Sequence, residues 1–286
     1  MSGEERAEAL LSGKPIDRVP FTIFGFAFLG VNVGYSVMDW YSDTLKSFES
    51  GQMTSDQYGA MWLPFGGYPA LGPAELGAEV VWPTGEFSQC PNVEPAITTE
   101  DDAWALEFID PEKLKTLGFV PTFIEVAHLI KDAGLPFVVP VYGPWTTAGN
   151  IVGLDRMCRW SVKQPDLAHH VIRYATDFLV KFMQIMCDIV GPASFWPLNS
   201  TASAANVIIS PKTFEKFVMP YLIEYHTKII DMGAPSIVFH LCGEQNLNYE
   251  FYPDVPLPPL SIISVSHEVD LEKASASFPD YMLLGN

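Results

Sequence analysis

Downstream of residue 100 the chain alternates between short, largely apolar runs and longer runs whose apolar positions recur with helical spacing. The short runs fall at 137–142, 194–198, 236–242, 260–265 and 281–284, and Val, Ile, Phe and Leu dominate them. Strands without polar alternation are covered on both faces, the condition of a parallel sheet between helices. Helical spacing falls at about 99–116, 121–133, 165–190 and 210–232, and again from Asp270. The helix ends carry matching signals. Hydroxyls and carboxylates from Thr98 to Asp102 can cap free amides, Ser210-Pro211 supplies a cap and a first-turn proline, and Gly134 and Gly191-Pro192 stop the helices before them.

Upstream the rhythm is weaker. Residues 4–11 predict a short helix ended by Gly13 and Pro15, and the aromatic and β-branched run at 21–26 predicts a buried strand. Residues 30–100 are crowded with glycine, proline and aromatics, as in Gly66-Gly67-Tyr68-Pro69 and Leu71-Gly72-Pro73. They predict a loop-rich lid or insertion of loops and short helices over a core, with strands near 61–64 and 79–82. Strand–helix repeats without a Gly-x-Gly-x-x-Gly turn favour an α/β fold of the (β/α)8 TIM-type barrel class over a dinucleotide fold. One barrel domain is expected over residues 1–286. Counting 21–26 and 61–64, seven barrel strands are predicted, so the last strand of eight is expected to be lacking by Asn286.

Composition narrows the partners. With 34 acids against 16 bases the net charge is −18, and no basic cluster interrupts it, which argues against nucleic acid or an anionic membrane surface. The apolar run at 21–33 is too short and too glycine-rich to span a bilayer. No signal-peptide core follows Met1, and the cysteines at 90, 158, 187 and 242 lack disulfide-type spacing. A soluble, cytoplasmic protein is expected.

In a barrel of this kind the reactive groups stand at the carboxyl ends of the strands. Those ends hold Tyr142 before Gly143-Pro144, Asn199 with Ser200 and Ser203, His240 with Cys242, Ser266 with His267, and Gly285-Asn286. His240 and Cys242, two apart on a strand, share a face and offer zinc the nitrogen and sulfur it prefers. A small buried thiol beside a hydrogen-bonded histidine is the competing reading, and no third ligand stands nearby in a paired motif. His128, His169, His170 and His226 fall on helical positions suited to surface or packing roles, whereas Cys158 and Cys187 read as core thiols. Cys90 lies in a proline-bearing loop with no evident partner.

The chain resembles the uroporphyrinogen decarboxylase superfamily in five motifs, in order. These are Gly13-Lys14-Pro15-Ile16-Asp17-Arg18-Val19-Pro20, Gly143-Pro144-Trp145-Thr146-Thr147-Ala148, Ile209-Ser210-Pro211 through Pro220-Tyr221, His240-Leu241-Cys242-Gly243 and Leu284-Gly285-Asn286. The resemblance implies a (β/α)8 barrel. It is stronger to the branch of zinc-dependent methyltransferases that act with corrinoid proteins than to the decarboxylases. The segment 24–33 carries no basic residue to grip porphyrinogen carboxylates, and Asn150 stands where decarboxylases carry a tyrosine. The methyltransferase branch implies His240 and Cys242 as catalytic residues and zinc ligands, and a later cysteine, absent here beyond Cys242, as the third. Glu244 is a substitute to consider. Tyr142, Asn199 and Ser203 are the expected substrate-binding residues. The partners implied are a methylcorrinoid carried by a corrinoid protein and a small thiol or methylated substrate. The alternatives are uroporphyrinogen decarboxylation and a non-catalytic corrinoid- or ligand-binding barrel.

Overall fold

A computed structural model describes residues 1–65, 71–85 and 90–285. Its main sheet has five strands, all parallel and ordered as in the sequence. A small antiparallel pair, β1 (Val80–Val81) and β2 (Asn92–Val93), lies outside it. The sheet itself is β3 (Phe137–Tyr142), β4 (Phe195–Ser200), β5 (Val238–Leu241), β6 (Ile262–Val265) and β7 (Met282–Leu284). Neighbours in sequence are neighbours in space, without the reversal that marks a dinucleotide fold.

The two faces of the sheet differ. Phe137, Val139, Val141, Phe195, Phe239, Leu241, Ile263 and Val265 enter the main hydrophobic core, each nearly inaccessible to water. Helices Val120–Asp132, Pro165–Val190 and Met219–Asp231 supply the other side of that core. Phe123 meets Phe182 edge-on at 4.9 Å, joining the first two helices. Of the residues of opposite parity, Tyr142, Leu198, His240, Ile262, Ser264 and Leu284 are half-buried, whereas Val138, Pro140, Ser200 and Val238 are buried. Strand alternation thus gives one face to packing and leaves the other partly open.

The upstream half departs from expectation. The predicted strand at 21–26 is reduced to one parallel bridge, Thr22 with Met61, because the chain turns at Gly25 and Phe26 into helix Phe28–Asn32. Phe26 sits at φ +45°, outside any strand conformation. The predicted strand at 61–64 fails after Met61: the Trp62 amide donates to Glu4 instead of a ladder, and Pro64 has no N–H to give. The short helices expected in the insertion are present as Phe28–Asn32 and Val37–Ser42, and a longer one, Thr44–Tyr58, follows them. The first two pack around their own small core of Ala27, Leu29, Val37, Trp40, Tyr41 and Phe65.

The predicted helix at 99–116 breaks into Glu100–Trp104 and Pro111–Leu114, since Pro111 cannot continue a helix and Asp110 caps a new one. The 210–232 helix divides into Pro211–Phe217 and Met219–Asp231 at Pro220 for the same reason. Gly66 to Ala70, Glu86 to Gln89 and Asn286 lie outside the described residues, and with them part of the glycine-rich lid and the last motif position. Among the described residues no helix is long and apolar enough to cross a membrane.

Candidate active site

Register across the parallel strands builds the site. The Cα partners run Tyr142, Ser200, His240, Ser264 and Leu284, one from each strand on a single rung. His240 lies opposite in parity to Phe239, whose ring meets His226 and Tyr252 on the core side at 5.0 and 5.5 Å. The imidazole therefore occupies the half-open face, and Cys242, two residues on, follows it there with intermediate burial.

Nδ1 of His240 bonds the Ser264 hydroxyl at 2.9 Å, which fixes the ring and leaves Nε2 uncommitted. Burial lowers the His240 pKa and the Ser264 bond opposes this, so the ring is neutral at neutral pH. Burial raises the Cys242 thiol pKa, and nearby Glu268 raises it further. The thiol is thus protonated when free, the opposite of a self-activated nucleophile.

The polar run after Cys242 is a clamp. Gln245 and Asn248 are fully buried. Gln245 Nε2 donates to the Cys242 carbonyl at 3.0 Å, while its Oε1 accepts from Asn248 Nδ2 at 2.7 Å and from the Tyr252 hydroxyl at 2.8 Å. Asn248 Oδ1 accepts from Asn206 in the loop after β4. Such a satisfied network fixes a loop more firmly than apolar contact does. Gly243 adopts φ +75° to make the turn, and a side chain there would also press on Ala205.

Beside this rung lies a cavity of about 390 Å³, lined by Phe26, Cys90, Tyr142, Thr146, Asn150 and Ser203 among others. Tyr142 belongs to both the rung and the cavity wall. Burial raises its phenol pKa, with further contributions from the neighbouring Cys90 and Cys242 thiols. Ser203 donates to the Thr146 hydroxyl at 2.9 Å, and its carbonyl accepts from Trp145 Nε1 at 3.1 Å. Helix Pro144–Val152, grown directly from the Gly143-Pro144-Trp145-Thr146 turn, is thereby tied to the loop after β4. Phe26 lines the cavity in its left-handed conformation, a strain of about 1–2 kcal/mol of the kind that gathers at working sites.

Three expected site residues, His240, Cys242 and Tyr142, share the open face or its rim, and Ser203 lines the adjoining cavity. Asn199 does not join them. Its side chain, of the core-facing parity, bonds His226 at 2.7 Å and is fully buried. His226 in turn bonds the Pro256 carbonyl at 3.1 Å, which makes it a packing histidine. His169 and His170 stack on Phe217 and Trp104, and His128 and His267 are exposed. Sequence reasoning missed Cys90, which accepts from the Tyr41 hydroxyl at 3.3 Å and lines the cavity. No spacing rule joins residues 49 apart. It also missed Gln245, whose place inside a polar run was the available signal.

The metal implied by the His-x-Cys pair was tested against the donor set. His240 Nε2 and Cys242 Sγ suit two zinc positions, and the Ser264 bond is the support that zinc-bound imidazoles receive. Among the described residues, however, no group of three or more His, Cys, Asp or Glu side chains could hold a metal ion. Glu244 does not complete one; its carboxylate accepts from the Asn246 amide at 2.7 Å. The described residues therefore offer two donors and do not by themselves form a zinc site.

The layout is that of an α/β protein with a parallel sheet whose strand ends carry a polar, half-open rung. Residues 2–286 match the uroporphyrinogen decarboxylase (URO-D) family, and the chain belongs to that family. A methylated-thiol–coenzyme M methyltransferase of Methanosarcina mazei is 29% identical over 176 residues, which take in 60% of this chain and 44% of that protein. The matched stretch thus spans less than half of that relative. A methylcobamide:CoM methyltransferase of Methanosarcina barkeri is 23% identical over 271 residues, 90% of this chain and 74% of that one. Among solved structures, a methyltransferase from Methanosarcina mazei superposes with a TM-score of 0.69 at 18% identity, covering 100% of this chain and 92% of that one. That last likeness speaks for the fold.

Proposed function

We propose that this chain is a methyltransferase that moves a methyl group between a corrinoid carried by a partner protein and a small thiol or methylated substrate, with His240 and Cys242 at the reacting centre. The observation that carries the reading is the His240–Cys242 pair on the half-open face beside a cavity, in a family member whose curated relatives include methyltransferases matched over up to 90% of this chain, whereas a uroporphyrinogen decarboxylase matches 45% of it. When bound, a methylcorrinoid supplies an electrophilic methyl group, and zinc supplies a Lewis acid that holds sulfur as thiolate near neutral pH.

The chain's own residues do the remaining work. Ser264 orients His240, and Gln245 holds the Cys242 backbone at one height above the sheet. The raised thiol pKa of Cys242 argues against a self-activated nucleophile, and as a ligand the thiol would have to give up its proton on binding the ion. Tyr142 closes the wall between rung and cavity. Thr146 and Ser203, bonded to each other, hold the far wall in place. Two donors do not make a zinc site, so no step is derived through the ion.

Decarboxylation of a porphyrinogen is the weaker reading, because none of the described residues lining the cavity is basic and an octacarboxylate needs cations. The test is turnover of methylcobalamin with small thiols by the purified chain, followed by absorbance and by mass of the methylated product. Loss of transfer and of bound zinc in both His240→Ala and Cys242→Ala is expected. Wild-type zinc content in both variants refutes the ligand assignment. Coproporphyrinogen formation without methyl transfer refutes the function. Corrinoid binding without turnover leaves a non-catalytic barrel.

A further inference from the structure

The cavity beside the rung has an uncharged wall among the described residues. Among the described residues no Lys, Arg, Asp or Glu lines it, although the chain holds 16 bases and 34 acids. An anion entering it sheds water and meets no cation, and a net charge of −18 repels it from a distance. A cation fares no better, since no carboxylate stands among the described residues of the wall. Phe26 and Ile208 supply apolar surface, and the Thr146 and Ser203 hydroxyls are already paired.

One group in that wall is unpaired. Nδ2 of Asn150 is buried and has no hydrogen-bond partner. Buried amide nitrogens are rarely left so, and each asks for an acceptor. A ligand oxygen can supply one, whereas a cationic ligand head brings only further donors. The volume of about 390 Å³ is ample for a molecule of one ring.

We propose that this cavity binds an uncharged, part-apolar molecule that offers an acceptor oxygen to Asn150, and that it rejects thiols and methyl donors ending in sulfonate or carboxylate. That the molecule also carries the thiol, methylthio or methoxy group for transfer rests on the methyl-transfer reading. The selection against charge rests on the cavity alone.

Ligand-observed NMR on the purified chain, without corrinoid, compares 3-methoxybenzyl alcohol with 3-methoxybenzoate. The alcohol is expected to bind at least about tenfold more tightly than the anion. Asn150→Ala weakens the alcohol by roughly two- to tenfold, the loss of one hydrogen bond, with unchanged melting temperature. Ile208→Lys, at a partly exposed wall position, narrows the gap by drawing the benzoate in. Equal or tighter benzoate binding to the wild type, no alcohol binding, or an Asn150→Ala protein with undiminished affinity each overturns the proposal. Because no corrinoid is present, these outcomes are independent of whether methyl transfer occurs.

Discussion

Phe239 and His240 are adjacent in sequence and belong to different parts of the molecule. Phe239 is wholly buried between His226 and Tyr252, while His240 is half-buried on the open face with its ring bonded to Ser264. The same contrast runs across the sheet: Val139 and Val141 against Tyr142, Ile263 against Ser264. One face holds the fold together and the other is free to carry chemistry. Period-two alternation makes that division possible within a single strand.

The core face should give the largest stability effects. Phe239→Ala removes a fully buried ring and is expected to cost about 3–5 kcal/mol in denaturant unfolding. Next comes pH. Burial pushes His226 down to about 4 from an ordinary 6.5, so the unfolded chain takes up the proton first. Stability is full above pH 6.5 and falls as pH drops toward 4, by at most about 1.4 kcal/mol per unit for this group. A His226→Gln protein should lose that part of the slope in unfolding titrations.

At the boundary between the faces, Gln245→Leu leaves Asn248 and Tyr252 without their shared acceptor and should cost about 1–3 kcal/mol. It should also loosen the turn that carries Cys242, because the Cys242 carbonyl loses its donor. The smallest stability change belongs to the open face. His240→Ala should alter unfolding by less than about 1 kcal/mol while removing methyl transfer. A destabilisation equal to that of Phe239→Ala would erase the distinction between the faces.

The sequence pattern was most readable where strands are buried on both sides and helices carry caps. Helix Pro165–Val190 and strand Phe137–Tyr142 have the predicted bounds because Pro165, Gly191 and Gly143 mark their limits. The strands expected at 21–26 and 61–64 were misread because β-branched and aromatic composition does not reveal a left-handed Phe26 or a Trp62 amide spent on Glu4, whereas the one near 79–82 is present as β1. At the site, the two-residue spacing of His240 and Cys242 carried the face they share. Asn199 lies one residue off the open parity and turns to His226 instead. Its position at a strand end was legible, but its side depends on register, which a single strand does not encode. Cys90 and Asn150 come together with Tyr142 through tertiary packing alone.

The most direct measurement is the rate of methyl loss from methylcobalamin by the Cys242→Ala protein, read beside its melting temperature. A fall of at least about 100-fold is expected, with the melting temperature within about 3 °C of the wild type. Transfer at the wild-type rate from a folded Cys242→Ala protein would contradict the assignment of chemistry to the open face.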